Sequence, residues 1–299
     1  MPKRILSMLL AVLLLASLAA CGGASDAQTD PTTAPSGSTT QTTVPTSDTP
    51  AFAETVLVDT DDITFKITAI EDDSLWGYTL KAYLENNTDK ELVFSFANTS
   101  VNGFMCAPLW AATVSAGMKA NEEIHFSESD FQRNGIKEVT DITFTLHIYD
   151  NDNWTADYLV DEEFTIYPLG QEAVTPYVRT PAAEEIVLFD DENCTMIVTG
   201  YDPDNTWGYT VNVYLENKTD KTLMFSLGDA AVNGFMCDPF WAETVAPGKR
   251  SHSDISWSAG SFEENGITEV DTLTLPIRVY DADHITTDYL IDDTFTLNP

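Results

Sequence analysis

Cysteine, histidine and clustered aspartate are the residues whose spacing in this chain suggests chemistry. The phrase VNGFMCAPLW spans residues 101–110 and returns as VNGFMCDPFW at 232–241, each time around a cysteine, Cys106 or Cys237. A repeated cysteine beside proline and tryptophan can be a nucleophile, a metal ligand or a packed thiol. A nucleophilic thiolate needs a histidine to take its proton and a third group to orient that histidine. The four histidines, His125, His147, His252 and His284, stand opposite Ser256, Arg278, Asn121 and Asn153 when the two phrases are superposed. None is duplicated. A metal site wants several Cys or His at ligand spacing, and none accompanies the phrase. The expectation is therefore no catalytic residue, no metal ligand and no cofactor, with Cys106 and Cys237 as packed free thiols. Cys194 stands opposite Ile63 in the apolar series Cys194, Met196, Val198, and reads as a small core residue.

The aspartates recur as well. YDNDNWTADYLVD at 149–161 and YDADHITTDYLID at 280–292 hold Asp150, Asp152 and Asp157, and then Asp281, Asp283 and Asp288. Clustered carboxylates on a loop are how proteins hold calcium, but the Gly and closing Glu of an EF-hand loop are missing. A hairpin tip collects Asp and Asn in any case. Two readings stay open, a calcium-binding adhesion-type module and a solvated tip. The retained pairs Glu71/Asp202 and Asp73/Asp204 carry the same ambiguity. No G-x-S-x-G elbow and no phosphate loop appears. Nothing here reads as an enzyme.

The elements that position these residues are themselves duplicated. An offset of 131 superposes residues 54–168 on 185–299 without a gap, with 53 of 115 positions identical. That is a tandem duplication. Residues 169–184, with Pro176 and Pro181, read as a linker. Each copy reads as strands. In LWGYTLKAYLEN, Trp76, Tyr78, Leu80, Ala82 and Leu84 alternate onto one face, as do Trp207, Tyr209, Val211, Val213 and Leu215 in the second copy. Asn102-Gly103 and NNTDK make turns. Short strands separated by turns predict an all-β chain of two tandem antiparallel β-sandwiches.

The N-terminus is of another kind. Lys3 and Arg4 precede an apolar run, Ile5 to Ala20, that is short for a membrane span. The run ends Leu18-Ala19-Ala20-Cys21, which resembles the lipobox of bacterial lipoprotein signal peptides. That resemblance implies a signal peptide over 1–20, a diacylglyceryl thioether on Cys21, and a chain held at the extracytoplasmic face of a bacterial cell membrane. Residues 21–53 are rich in Ser, Thr, Pro and Gly and predict a disordered stalk. As a coil it would hold the rest on the order of 30 Å from the bilayer.

The strand spacing, with an inward tryptophan on a central strand, is similar to the immunoglobulin-like domains of bacterial surface lipoproteins, including those called telokin-like. A likeness of fold carries no activity with it. With 48 acidic against 14 basic residues, a net charge of −34 argues against nucleic acid and anionic lipid surfaces as partners. The expected function is a tethered binding or interaction module for a surface glycan, peptide or protein. The alternatives are an accessory to an extracytoplasmic enzyme or a structural spacer. Tyr83 and Tyr214, read as exposed and duplicated, favour binding.

Overall fold

A computed structural model describes residues 52–299 apart from Trp76, Phe240 and residues 285–287. Cys21, the signal peptide and most of the stalk lie outside the described residues, as does Trp76. Residues 50–299 form one compact unit, and no described helix is long and apolar enough to cross a membrane.

The first copy runs β1 (Thr55–Asp59), β2 (Ile63–Ser74), β3 (Gly77–Asn86), β4 (Leu92–Val101), β5 (Phe104–Met105), β6 (Ala111–Val114), β7 (Lys119–His125), α1 (Glu128–Arg133), β8 (Ile142–Asp150) and β9 (Val160–Ile166). The second runs β10 (Ile186–Asp190), β11 (Cys194–Asp202), β12 (Tyr209–Asn217), β13 (Leu223–Leu227), β14 (Ala231–Val232), β15 (Phe235–Met236), β16 (Ala242–Val245), β17 (Arg250–Trp257), α2 (Ala259–Asn265), β18 (Leu273–Asp281) and β19 (Ile291–Leu297). The protein is all-β. In the first copy a sheet in the order β1-β2-β3-β7 faces one built on β5-β4-β8-β9. The second copy repeats this with β10-β11-β12-β17 facing β15-β14-β18-β13-β16.

Alternation builds both cores. Along β3, Leu80, Ala82 and Leu84 are buried while Lys81, Tyr83 and Glu85 are not. Phe65 on one sheet meets Phe94 and Phe96 on the other at ring-centroid distances of 6.4 and 6.0 Å. Full burial of a ring such as Phe65 or Phe94 contributes roughly 1.5–3 kcal/mol relative to exposure. The second core is centred on Met196, Val211, Phe225, Leu275 and Trp257.

Two details of the repeated phrases become clear here. Asn86 and Asn217 are fully buried in their turns. The Asn217 amide donates to the Lys221 and Val245 carbonyls, and its oxygen accepts from the Thr219 N–H and hydroxyl. Asn86 makes the same four bonds. In WGYT the glycine is the demanding residue. Gly77 and Gly208 have φ of +91° and +109°. A β-carbon on Gly77 would lie 2.7 Å from the Phe126 carbonyl oxygen, and one on Gly208 would run into that of Trp257.

Two expectations are corrected. Trp207 is 79% exposed, because β12 begins only at Tyr209 and Trp207 lies in the loop before it. The inward tryptophan of the second core is Trp257, whose indole N–H donates to the Cys237 carbonyl at 2.7 Å. Tyr214 is 1% exposed, because the first copy covers it.

That covering is the main departure from two independent beads. β5 pairs in parallel with β17, Phe104 opposite Arg250, so a sheet of each copy joins into one of nine strands. Ile197 and Tyr214 pack into the first core, and Met105 packs against the second.

Candidate functional site

The seam is built from the repeated phrase. Asn102 and Gly103 both take positive φ, +52° and +79°, and turn the chain from β4 into β5. The Asn102 side chain is clamped across the turn. Its amide donates to the Glu138 carbonyl, and its oxygen accepts from the Thr140 N–H and hydroxyl and the Asp141 N–H. Asn233 is held the same way by Glu269, Asp271 and Thr272.

The turn presents the Gly103 carbonyl to the Arg250 N–H at 3.0 Å. Phe104 then lies flat against the His252 ring, 5.7 Å between centroids, and takes the edge of Tyr177 at 4.9 Å. Arg250 pairs with Glu216 at 3.1 Å and lies over Tyr177, while Arg179 lies over Tyr214. The stretch expected to be only a linker thus supplies two side chains to the seam.

Cys106 follows. It is buried, and its sulfur receives a hydrogen bond from the Asn134 amide at 3.3 Å. Asn134 also accepts the His252 N–H at 3.4 Å, and Arg133 pairs with Asp254 at 3.5 Å. All three described cysteines are free and buried. Burial pushes the Cys106 and Cys194 thiols up to about 12, and moves Cys237 in the same direction. A thiol so placed is a poor nucleophile. The phrase is structural around sulfur and adhesive around its aromatic ring.

Beside this contact opens a cleft of about 330 Å³, lined from the first copy by Asn98, Asp130 and Arg133 and from the second by Glu243, Ser251 and His252. Glu243 accepts from the Ser251 hydroxyl at 2.8 Å and the Ser253 hydroxyl at 3.1 Å. Burial raises the Glu243 carboxyl above the usual range, against the pull of those hydroxyls and of Arg133. Asp130 is raised by burial, with Arg133 opposing, and burial holds His252 below the usual imidazole value. Thr99, also on the lining, is 1% exposed, and its hydroxyl has no hydrogen-bond partner. A buried hydroxyl left unmatched costs about 1–3 kcal/mol, so this wall is set for a polar guest or a water. Two acids of raised pKa, a guanidinium and an imidazole converge here.

None of these residues had been singled out as a site from sequence. Glu243 stands opposite Ala112, His252 opposite Asn121 and Arg133 opposite Glu264. A search for duplicated chemistry passes over them. The signal was the reverse, a charged residue in one copy where the other has something else.

The aspartate tips behave differently. Asp150 accepts the Asp152 N–H and pairs with Lys90 at 2.7 Å; Asp281 accepts the Asp283 N–H and pairs with Lys221 at 3.1 Å. Asp157 and Asp288 are exposed. Among the described residues no three His, Cys, Asp or Glu side chains converge as a metal site. The leading aspartate of each tip holds a turn and a lysine.

No protein-family model matches the chain, and no curated protein matches it. Among solved structures, the crystal structure of the YadV chaperone is similar at 11% identity, covering 79% of this chain and 100% of that one, with a TM-score of 0.23. A score that low carries no argument, and the fold class rests on the sheets described above.

Proposed function

We propose that this chain is a membrane-tethered extracytoplasmic lipoprotein whose paired immunoglobulin-like sandwiches form a non-catalytic binding module. The cleft at the seam, with Glu243 half-buried at its wall, is the observation that carries the reading. Ligand sites favour junctions between domains, where a few convergent polar groups fix orientation. Ser251 and Ser253 give their protons to hydrogen bonds with Glu243, and His252 lies against Phe104. That arrangement suits holding a polar ligand, a glycan or peptide segment, more than attacking one.

The test is a glycan array and a peptide library probed with residues 50–299, with every hit remeasured on Glu243→Gln and Asp130→Asn. Binding that falls at least tenfold in either variant, with the unfolding midpoint unchanged, supports the cleft. Hits indifferent to both substitutions, or no hit above background, would remove the binding reading and leave the spacer.

A further inference from the structure

The internal seam joins a donor edge on one copy to an acceptor edge on the other, and the duplication leaves one unused example of each. The used donor is β5 with Phe104, 3% exposed; its counterpart β15 ends its sheet and leaves Phe235 49% and Met236 62% exposed. The used acceptor is β17, whereas its counterpart β7 is the last strand of its own sheet. We infer that the free β15 edge of one molecule docks on the free β7 edge of another, so that the chain associates head to tail with further copies of itself. Because the two surfaces differ, each added molecule offers a new free edge, and the assembly is open-ended. This association is separate from ligand binding in the cleft.

Three features of the free edges support the match. First, the donor phrase is unchanged: VNGFMC is identical in both copies, and the Asn233 clamp reproduces that of Asn102. Second, the Tyr-Glu-cation part of the acceptor is retained, although Asn121 stands where His252 meets Phe104. Tyr83 donates to Glu85 and Lys119 pairs with Glu85 at 3.1 Å, as Tyr214 and Arg250 do with Glu216. Asp48 stands opposite Arg179 in the sequence, so no arginine is repeated there, but Lys66 already lies over the Tyr83 ring as Arg179 lies over Tyr214.

Third, the cation moves from the donor to the acceptor, while the acceptor keeps its acid, Glu123 standing where Asp254 does. At the internal seam the cation is on the donor, Arg133, facing Asp254, which Asn212 also contacts. At the free edges the donor carries Glu264 in place of Arg133. The acceptor carries Lys81 in place of Asn212, beside Glu123, and Lys66 in place of Ile197. The net charge of −34 opposes self-association at long range, but physiological salt screens charges beyond roughly 8 Å.

Sedimentation velocity of residues 50–299, which close both cores within themselves, tests this at physiological salt across a wide concentration range. The expected result is a weight-average mass that rises past the dimer without a plateau. Phe235→Ser removes the donor ring and Lys66→Glu reverses the acceptor charge. Both positions are at least partly exposed, so the unfolding midpoints should stay at the wild-type value. Each variant alone should be monomeric. Mixed, they should form a one-to-one dimer and nothing larger, because each retains the edge the other lacks. A monomer at every concentration, a wild-type plateau at the dimer, or variants that associate like wild type would each overturn the inference.

Discussion

Cys106 and Cys194 show how environment decides what a residue type does. A thiol moved from 9.0 to about 12 by burial holds roughly a thousandfold less thiolate near neutral pH, since each unit is tenfold. We predict that at pH 8 native residues 50–299 resist iodoacetamide and that three thiols label after denaturation. Labelling of the native protein at the rate of a free thiol would refute this. The linkage has a definite sign: the folded state keeps protons that the unfolded state loses above about pH 9, so these thiols add stability below pH 9 that is lost towards pH 12. The buried thiols were legible in the sequence because their neighbours were apolar and one copy lacked a second cysteine. Glu243 and His252 were not. A site at the junction of two copies takes different residues from each, so its members lack internal counterparts.

At the scale of elements, alternation was enough to place the strands and most of their buried faces, since a period of two leaves little choice once one side is covered; it missed Trp207, beyond the strand, and Tyr214, covered by the other copy. Turn chemistry was only half legible. NNTDK and NKTDK announced a turn, but not that Asn86 and Asn217 face inward and replace a strand's worth of hydrogen bonds. We predict that Asn217→Ala costs on the order of 1–3 kcal/mol, because it strands the buried Val245 carbonyl, whereas the Lys221 carbonyl keeps the Thr219 hydroxyl. Asn217→Asp should cost at least as much, since a carboxylate cannot donate to either. Urea unfolding decides: a loss below about 0.5 kcal/mol for Asn217→Ala, the range of an ordinary surface change, would contradict the account. The seam was invisible for a simple reason. β5 and β15 are spelled identically, and only what covers them differs.

For the whole molecule, the duplication fixed how many cores there would be but not that a shared sheet would join them. Tyr177 and Arg179, read as linker, reach back to Phe104 and Tyr214. The proposed attachment to the cell rests on Cys21. We predict that Cys21→Ala leaves the protein as an unprocessed precursor or releases it, as read by the size and the membrane or soluble partition of the product. A variant processed normally and still membrane-bound would end the lipoprotein reading. Such tethering would also bear on the proposed self-association, since molecules confined to a surface meet at a higher effective concentration than the same number in solution.

The clamped turns at Asn102 and Asn233 have a covalent consequence. Asn-Gly is the dipeptide most open to spontaneous deamidation, because a glycine amide without a neighbouring β-carbon can attack the preceding side-chain carbonyl and expel ammonia. Here both ends of each asparagine side chain are already engaged, by four hydrogen bonds at Asn102 and three at Asn233. Closing the five-membered ring requires breaking them first. The contacts that aim the two phenylalanines therefore also slow the ageing of the backbone beneath them.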